Sequence, residues 1–256
     1  MSWSPEQYTR FEHDRTRPVR DLLAAVPGAD PARATDLGCG PGNSTEVLAQ
    51  RFPRAAITGL DSSPEMIEAA RRRLPQIRFE VADLTQWAPA GKQGVILANA
   101  VLQWVPDHAA LLPRLASWLD EGGSLAVQMP DNLEEPAYAL MREVAGAGTW
   151  ADKLASAAGM RSEMGGPEWY YRVLRPHCRR VDVWRTTYCH VLAGGADAIV
   201  EWFKGSGLRP YLVPLDAAER EAFLGRYRDG IAKAYTVLPD GSALLPFPRL
   251  FLVGTR

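Results

Sequence analysis

Short apolar runs alternate with amphipathic stretches through the first half of the chain. Such runs are typical of strands buried in a parallel sheet, and the stretches between them are typical of helices that pack on its two faces. The pattern therefore predicts an α/β fold. The expected strands are residues 34–37, 56–60, 78–82, 95–98 and 124–128, and the expected helices are residues 45–51, 64–74 and 109–119.

The rhythm changes after residue 130, where helical periodicity dominates and only two further strands are expected. Two late strands separated by helices fit an edge pair of the same sheet. Before the first strand, a helical region is expected to break at Arg17-Pro18, because proline removes a helix hydrogen bond. The expected helical regions are residues 5–25, 134–146, 196–204 and 216–235, with helix and loop at 150–171 and strands at 179–191 and 247–253.

The most informative stretch is R-A-T-D-L-G-C-G-P-G-N-S-T at residues 33–45. Gly38, Gly40 and Gly42 let the backbone turn sharply and approach a ligand that a side chain would exclude. The following helix points its free N–H groups into the same space, with Asn43-Ser44-Thr45 expected as its N-cap. A small ligand with a negatively charged end is therefore predicted at this strand-to-helix turn.

The glycine spacing selects among nucleotide ligands. A dinucleotide site needs G-x-G-x-x-G, but Asn43 occupies the third position, and no Gly-Lys-Ser/Thr follows as a phosphate loop requires. The spacing D-L-G-C-G-P-G resembles the first motif of the class I methyltransferases, which use S-adenosylmethionine (SAM). The motif alone leaves open a glycine turn that binds nothing.

Acidic residues after the expected strands fit this resemblance. Asp61 can accept both ribose hydroxyls or cap the next helix. Asp83 can accept the adenine amino hydrogen, with the Leu84 N–H meeting a ring nitrogen, or it can close a turn. Asp36 is expected to orient the glycine loop or the amino group of the methionine portion. The predicted SAM contacts are Asp36, Gly38, Gly40, Gly42, Asp61, Ser62, Met66, Asp83, Leu84 and Asn99.

The segment N-A-V-L-Q-W at residues 99–104 follows the fourth expected strand, where the transferable methyl group should emerge. We expect Asn99, Gln103 and Trp104 to position the reacting groups. His108 begins the next helix, and we interpret it as a surface cap rather than a catalytic group.

The composition limits which binding partners and which cellular compartment are expected. The chain has 29 basic and 30 acidic residues, so no nucleic-acid partner is expected, because phosphate binding needs a clustered basic excess. No apolar run approaches the roughly 20 residues of a membrane helix, so no membrane partner is expected.

The three cysteines show no C-x-x-C spacing. The pairs His177-Cys178 and Cys189-His190 chelate poorly, because strand neighbours face opposite sides. We therefore expect a cytoplasmic protein without a metal.

Motifs along the whole chain carry a closer resemblance. They include W-S-P-E-Q-Y, L-Q-W-V-P-D-H, A-V-Q-M-P-D-N, V-D-V-W-R-T-T-Y, G-L-R-P and F-P-R-L-F. Together they resemble the trans-aconitate 2-methyltransferase family. The resemblance implies a Rossmann-like sheet of seven strands, in the order 3-2-1-4-5-7-6 with the last strand antiparallel, and a helical cap. It implies one domain over residues 1–256, with an N-terminal helical segment at 1–30 and cap helices within 131–176 and 195–236.

The same resemblance implies esterification of one carboxylate of trans-aconitate, with S-adenosylhomocysteine as the second product. Two alternative acceptors stay open, namely another small di- or tricarboxylic acid and a carrier-bound acid. A non-catalytic SAM-binding protein is the alternative function. The oligomeric state is open, with a monomer favoured.

A tricarboxylate acceptor is ionised at pH 7, so no acid or base residue is expected to be catalytic. Its spectator carboxylates need cationic partners, and arginine suits them through bidentate hydrogen bonds. Three arginines have apolar or aromatic sequence neighbours, namely Arg185, Arg209 and Arg249. Each of them can bind a carboxylate of the acceptor or form an ordinary ion pair. The predicted acceptor contacts are Tyr8, Arg17, Trp104, Tyr171, Arg185, Arg209 and Arg249.

Overall fold

The structure is a computed structural model that describes residues 12–28, 30–157 and 164–256. It contains one sheet of seven strands: β1 (Arg33–Leu37), β2 (Ala56–Asp61), β3 (Arg78–Val81), β4 (Gln93–Asn99), β5 (Leu119–Pro130), β6 (Arg180–Ala193) and β7 (Ser242–Thr255). Their order is β3-β2-β1-β4-β5-β7-β6, which confirms the predicted fold class and strand order.

The strands from β1 to β5 pair in parallel. Gly122 and Gly123 exchange backbone hydrogen bonds with Arg256. The beginning of β5 therefore lies beside the end of β7, and these two strands run antiparallel, as expected for the last strand.

Helices connect the strands. They are α1 (Glu12–Ala24), α2 (Asn43–Arg51), α3 (Pro64–Arg73), α4 (His108–Ser117), α5 (Pro136–Gly146), α6 (Ala151–Leu154), α7 (Pro167–Leu174), α8 (Gly195–Lys204), α9 (Arg209–Leu212) and α10 (Ala217–Ala234), with a 3₁₀ turn at Leu102–Trp104. Within the described residues, none of these helices is long and apolar enough to cross a membrane.

Two local expectations are wrong. Helix α1 runs through Pro18 without a break, because Thr16 is buried on one side of the proline and Val19 and Leu22 are buried on the other. The expected residues 5–11 lie outside the described part of the chain. Residues 121–123, which precede the expected strand at 124–128, lie inside β5. Gly122 has a φ of 76° there, and the pairing with β4 shifts register at the same level, so a β-bulge takes up the glycines.

One face of the sheet carries the main apolar core. Leu37, Ile96, Val127 and Leu250 are fully buried there against leucines of α4 and α7. The central strands are buried on both faces, which is why their sequences read as continuous apolar runs. This packing fixes the carboxyl ends of β1 and β4 side by side, with Leu37 opposite Ala98.

The chain divides into two compact units. The sheet unit contains the described residues of Met1–Pro130, Glu163–Thr186 and Leu250–Arg256, and the helical unit contains those of Asp131–Ser162 and Thr187–Arg249. That the two form one domain stays a prediction.

Candidate functional site

The glycine turn after β1 has the conformation that its sequence predicts. Gly38, Gly40 and Gly42 have φ values of 67°, 54° and 95°, in the left-handed region that side chains disfavour. A Cβ atom on Gly38 would lie 2.3 Å from a methyl group of Val101, so this glycine lets the loop after β4 pack against the turn. A Cβ atom on Gly40 would meet nothing within 4 Å. Gly40 therefore faces open space that a ligand can fill.

The start of α2 is capped differently from the expectation. Gly42 is the N-cap residue, and no side chain accepts from the first turn. The expectation that residues 43–45 supply the cap is wrong, because the Ser44 and Thr45 hydroxyls each donate to Asp36 Oδ2 at 2.7 Å. The helix N-terminus is thus left without a side-chain cap beside the space above Gly40.

Asp36 is an unusual carboxyl group for a strand end. It is fully buried, and within the described residues its Oδ1 has no hydrogen-bond partner. Burial raises the pKa of Asp36 to about 7, against the lowering effect of the two hydroxyls, and the charge of Asp61 adds to the rise. The carboxyl group therefore titrates near neutral pH and needs a cationic or donating partner to stay ionised.

Asp61 ties the end of β2 to the glycine turn. Its Oδ2 accepts from Gly40 N–H at 2.9 Å and its Oδ1 accepts from Ser63 N–H at 2.9 Å. Ser63, and not Asp61, caps α3 by accepting from Met66 N–H. Each Asp61 oxygen keeps a second lone pair, so the carboxylate can still accept from a pair of ligand hydroxyls.

In the loop after β3, part of the hydrogen-bonding capacity is used within the loop itself. Asp83 is exposed, and its Oδ1 accepts from both the backbone N–H and the hydroxyl of Thr85 at 2.8 Å. These bonds hold the pKa of Asp83 below its usual value. The turn-closing role is therefore present, and Oδ2 is left for a ligand. Buried Leu84 accepts at its carbonyl from Arg114, which also bonds the Thr85 carbonyl.

The loop after β4 contains a strained residue whose backbone is held by hydrogen bonds. Ala100 has a φ of 56°, which costs a residue with a side chain about 1 kcal/mol. Its N–H donates to the Gln128 carbonyl at 2.8 Å, and its carbonyl accepts from Gln103 Nε2 at 2.8 Å. Asn99 Oδ1 and Gln103 Oε1 are buried and lack a partner among the described residues. Strain held by such bonds at a strand end is typical of functional loops.

His108 is buried, so its interpretation as a surface cap is wrong. Asp107 caps α4 instead, accepting from Ala110 N–H. His108 Nε2 lies 2.8 Å from the Leu102 carbonyl and Nδ1 lies 2.7 Å from the Tyr170 hydroxyl. Because a carbonyl only accepts, Nε2 donates to it, and in the neutral ring Nδ1 then accepts from the Tyr170 hydroxyl. Both ring nitrogens are used, and the histidine holds the loop in place rather than facing a substrate.

In the sheet unit, the unpartnered buried side-chain oxygens lie at or just after two adjacent strand ends. Among the described residues of this unit they are Asp36 Oδ1, Asn43 Oδ1, Asn99 Oδ1 and Gln103 Oε1. The glycine turn and the loop after β4 touch at Gly38 and Val101, which brings these acceptors to one region. Buried acceptors left unpaired are costly unless a ligand donates to them, and an ammonium group has three donors. The residues present thus fit an amino acid moiety next to a ribose.

Comparisons with known proteins identify the family. A family model described as a methyltransferase domain matches residues 11–192. The trans-aconitate 2-methyltransferase of Methylobacterium nodulans is 56% identical over 254 residues, covering 99% of this chain and 98% of that protein. This chain belongs to the trans-aconitate 2-methyltransferase family.

Solved structures agree on the fold of this family member. The YcgJ protein of Bacillus subtilis matches with a TM-score of 0.60 at 12% identity, covering 95% of this chain and 98% of that one. Phosphoethanolamine N-methyltransferase 2 of Haemonchus contortus, solved with phosphomonomethylethanolamine and S-adenosylhomocysteine, matches with a TM-score of 0.55 at 13% identity. It is covered to 52%, and this chain to 93%. At these identities the likeness shows the fold alone.

The residues predicted to contact the acceptor are distributed over both units of this methyltransferase-family chain. In the sheet unit, Trp104 is half-buried and Arg17, Tyr171 and Arg185 are exposed. In the helical unit, Arg209 is half-buried, while Arg249 is only 5% exposed and lies 4.8 Å from the Phe247 ring centroid. Tyr8 lies outside the described residues. The roles of all seven stay predictions.

Sequence reasoning missed several polar groups. The contact between His108 and Tyr170 gave no spacing signal, because the two residues lie 62 positions apart on different helices. Asn43 was expected only as part of a helix N-cap, and its buried Oδ1 has no partner among the described residues. Within the described part of the chain, no cluster of His, Cys, Asp or Glu side chains could hold a metal ion.

A groove of about 950 Å³ lies at the amino ends of β1, β2 and β3. Arg33, Thr58, Arg78 and Trp87 line it, and the glycine turn does not. It therefore lies at the opposite edge of the sheet from the candidate cofactor site.

Proposed function

We propose that this protein is a SAM-dependent O-methyltransferase that esterifies one carboxylate of trans-aconitate and releases S-adenosylhomocysteine. The observation that carries the proposal is 56% identity with a trans-aconitate 2-methyltransferase over 99% of the chain. Such identity extends through both compact units, so it covers more than the glycine turn that many methyltransferases share.

The buried polar groups of the sheet unit support SAM as the cofactor. Gly40 would let the cofactor approach the backbone, and Asp61 would accept from the ribose hydroxyls. Asp36, with Asn99 beside it, would face the ammonium group, whose charge keeps the carboxyl group ionised. Asp83 Oδ2, Leu84, Ser62 and Met66 would contact the adenosine part. When bound, SAM supplies an activated methyl group on a sulfonium centre.

Methyl transfer to a carboxylate does not require an acid or a base residue. A carboxylate with an ordinary pKa near 4 is ionised at pH 7, and a new oxygen–methyl bond forms at it without proton transfer. The chain therefore contributes alignment and exclusion of water. Gln103 would do this by fixing the Ala100 carbonyl, and His108 by holding the Leu102 carbonyl. Trp104 lies on the same short segment and would face the reacting carboxylate.

The spectator carboxylates need compensation when they leave water. Arg249 is the strongest candidate, because a nearly buried guanidinium beside an aromatic ring is already desolvated. Arg209 would add a second cation from the helical unit. Arg17, Arg185, Tyr8 and Tyr171 complete the proposed acceptor contacts, with the exposed members contributing less.

Purified protein incubated with methyl-labelled SAM and trans-aconitate tests this function. We expect a labelled methyl ester and one equivalent of S-adenosylhomocysteine. A panel of small di- and tricarboxylic acids and carrier-bound acids is run in parallel. Transfer to one of these, with none to trans-aconitate, would replace the substrate. SAM binding in calorimetry without transfer to any acid would leave a non-catalytic SAM-binding protein.

We also propose a cytoplasmic location and a monomeric state. All three cysteines are free, and Cys189 is exposed, which fits a reducing compartment. Light scattering of the purified protein tests the monomer.

A further inference from the structure

The helical unit contains a group of four tyrosines that none of the assignments above uses. Helix α10 packs against α5 and α8, and the rings of Tyr138, Tyr211, Tyr227 and Tyr235 are all buried in this unit. We call these four residues the tyrosine cluster. Phenol rings are ordinary core material, so their packing alone has no functional meaning.

Three members of the cluster contact other residues of the helical unit. Tyr235 Oη accepts from Ala137 N–H at 3.2 Å, in the first turn of α5. Tyr211 stacks on Phe223 with ring centroids 6.0 Å apart. A Cβ atom on Gly207 would lie 2.8 Å from Tyr138 Oη, so glycine is required where the segment before α9 approaches this hydroxyl.

Tyr227 differs from the other three. Its side chain is 0% exposed, and within the described residues its hydroxyl has no hydrogen-bond partner. An unsatisfied buried hydroxyl destabilises the folded state, and a phenylalanine at this position would avoid that cost. The hydroxyl of Tyr227 is therefore available to donate a hydrogen bond to a bound acceptor.

The cluster presents neutral donors over the whole physiological pH range. Burial raises the pKa of Tyr227, and the neighbouring hydroxyls of Tyr235, Tyr138 and Tyr211 raise it further. Burial also raises the pKa of Tyr211, while the nearby Arg142 cation partly opposes this. Arg142 also lies 3.9 Å from Glu134 and donates to the Leu133 carbonyl, so the phenols supply the hydrogen-bond donors of the cluster, and protonated phenols suit an anionic acceptor.

We propose that the tyrosine cluster binds one spectator carboxylate of the acceptor acid, with Tyr227 donating to it. This rests on the proposed function, because it assigns a recognition site for the same substrate. It adds neutral donors to the arginines already discussed. A carboxylate held by phenols is recognised by geometry as well as charge, which would discriminate a tricarboxylate from a dicarboxylate that lacks the recognised group.

The test replaces Tyr227 by phenylalanine and measures acceptor binding by calorimetry in the presence of S-adenosylhomocysteine. We expect Kd for trans-aconitate to rise about 10-fold or more, the effect of losing one hydrogen bond to a charged group. The affinity for SAM should change less than twofold, and Tm should stay equal or rise, because an unsatisfied hydroxyl is removed. Unchanged affinity for trans-aconitate would overturn the proposal.

Dicarboxylate analogues that each lack one of the three carboxylates separate recognition from a general disturbance. Tyr227→Phe should weaken binding of the analogues that keep the recognised carboxylate and leave the one lacking it unchanged. Equal weakening of every acid, with a lower Tm, would show a structural role and overturn the proposal. If the wild-type protein methylates another acid in place of trans-aconitate, the substrate assignment fails separately, and the same comparison on that acid decides the cluster.

Discussion

The two compact units hold their buried polar groups in different ways. In the sheet unit these groups lie on loops at strand ends and bind one another, as Asp61 binds Gly40 and Gln103 binds Ala100. In the helical unit they include the phenol hydroxyls of the tyrosine cluster, and the Tyr227 hydroxyl is left without a partner among the described residues. The proposed cofactor contacts are therefore preorganised by short-range bonds, whereas the proposed acceptor contacts depend on how whole helices assemble.

The largest expected effect comes from Gly40→Ala. The methyl group would enter the space that a ligand needs, so SAM affinity should fall about 100-fold or more. The fold should survive, because nothing lies within 4 Å of the new Cβ atom. Calorimetry with SAM and a thermal melt check both parts.

Gly241→Ala is the control from the helical unit. Gly241 also has a positive φ, 79°, and also faces open space, so the backbone strain of about 1 kcal/mol is the same. If both variants lose SAM affinity equally, strain rather than ligand contact explains the loss, and the cofactor site has been placed wrongly.

A second prediction concerns Asp36, whose oxygen faces no described partner. Asp36→Asn should weaken SAM binding about 30-fold, because a buried charge-assisted hydrogen bond is lost. In the wild-type protein, SAM affinity should fall as pH drops from 8 to 6, since Asp36 has a pKa of about 7 and only its ionised form suits an ammonium group. Calorimetry at several pH values should show a flatter profile for the variant, and two parallel profiles would contradict the assignment.

The same carboxyl group has a consequence for stability. Its pKa is raised on folding, from a reference of 3.8 to about 7, so the folded state binds the proton more tightly than the unfolded state. The stabilisation from this group is fully present below pH 4 and is lost as pH rises through 7. As the pH rises from 4 to 7, the unfolding free energy of the wild type should therefore fall relative to that of Asp36→Asn. Urea denaturation of both proteins at several pH values measures this difference.

Most of the sheet unit could be predicted from the sequence, because its signals are local. Strands buried on both faces read as apolar runs, and the glycine spacing requires the positive φ values that Gly38, Gly40 and Gly42 adopt. Asp61 was expected at the end of its strand, where it bonds Gly40.

Long-range partners could not be predicted in this way. His108 was misread because its partner Tyr170 lies 62 residues away, and a histidine at a helix start looks the same whether it caps or is buried. The hydroxyls of Ser44 and Thr45 were misread because they can cap a helix or bind Asp36, and burial decided between these. Tyr227 gave no signal at all, since a tyrosine at a core position of a helix is common.

A third prediction compares an arginine of each unit. Arg249 is nearly buried in the helical unit and Arg185 is exposed in the sheet unit. Arg249→Met should raise KM for the acceptor about 10-fold, and Arg185→Met should raise it less than threefold, because exposed charges are screened by water. Steady-state kinetics with saturating SAM measure both. A larger effect at Arg185 would move the acceptor contacts towards the sheet unit.

The smallest expected effect is at Asp83, where the structure already shows a turn-closing role. Asp83→Asn keeps an oxygen for the two bonds from Thr85, so Tm should change little, but its new amide would face the adenine amino group as a donor facing a donor. SAM affinity should therefore fall about threefold, since the site is exposed to water. An affinity equal to that of the wild type would make Asp83 a turn residue only. The adenosine end of the site would then be held by Asp61 and Leu84, without a contribution from the Asp83 side chain.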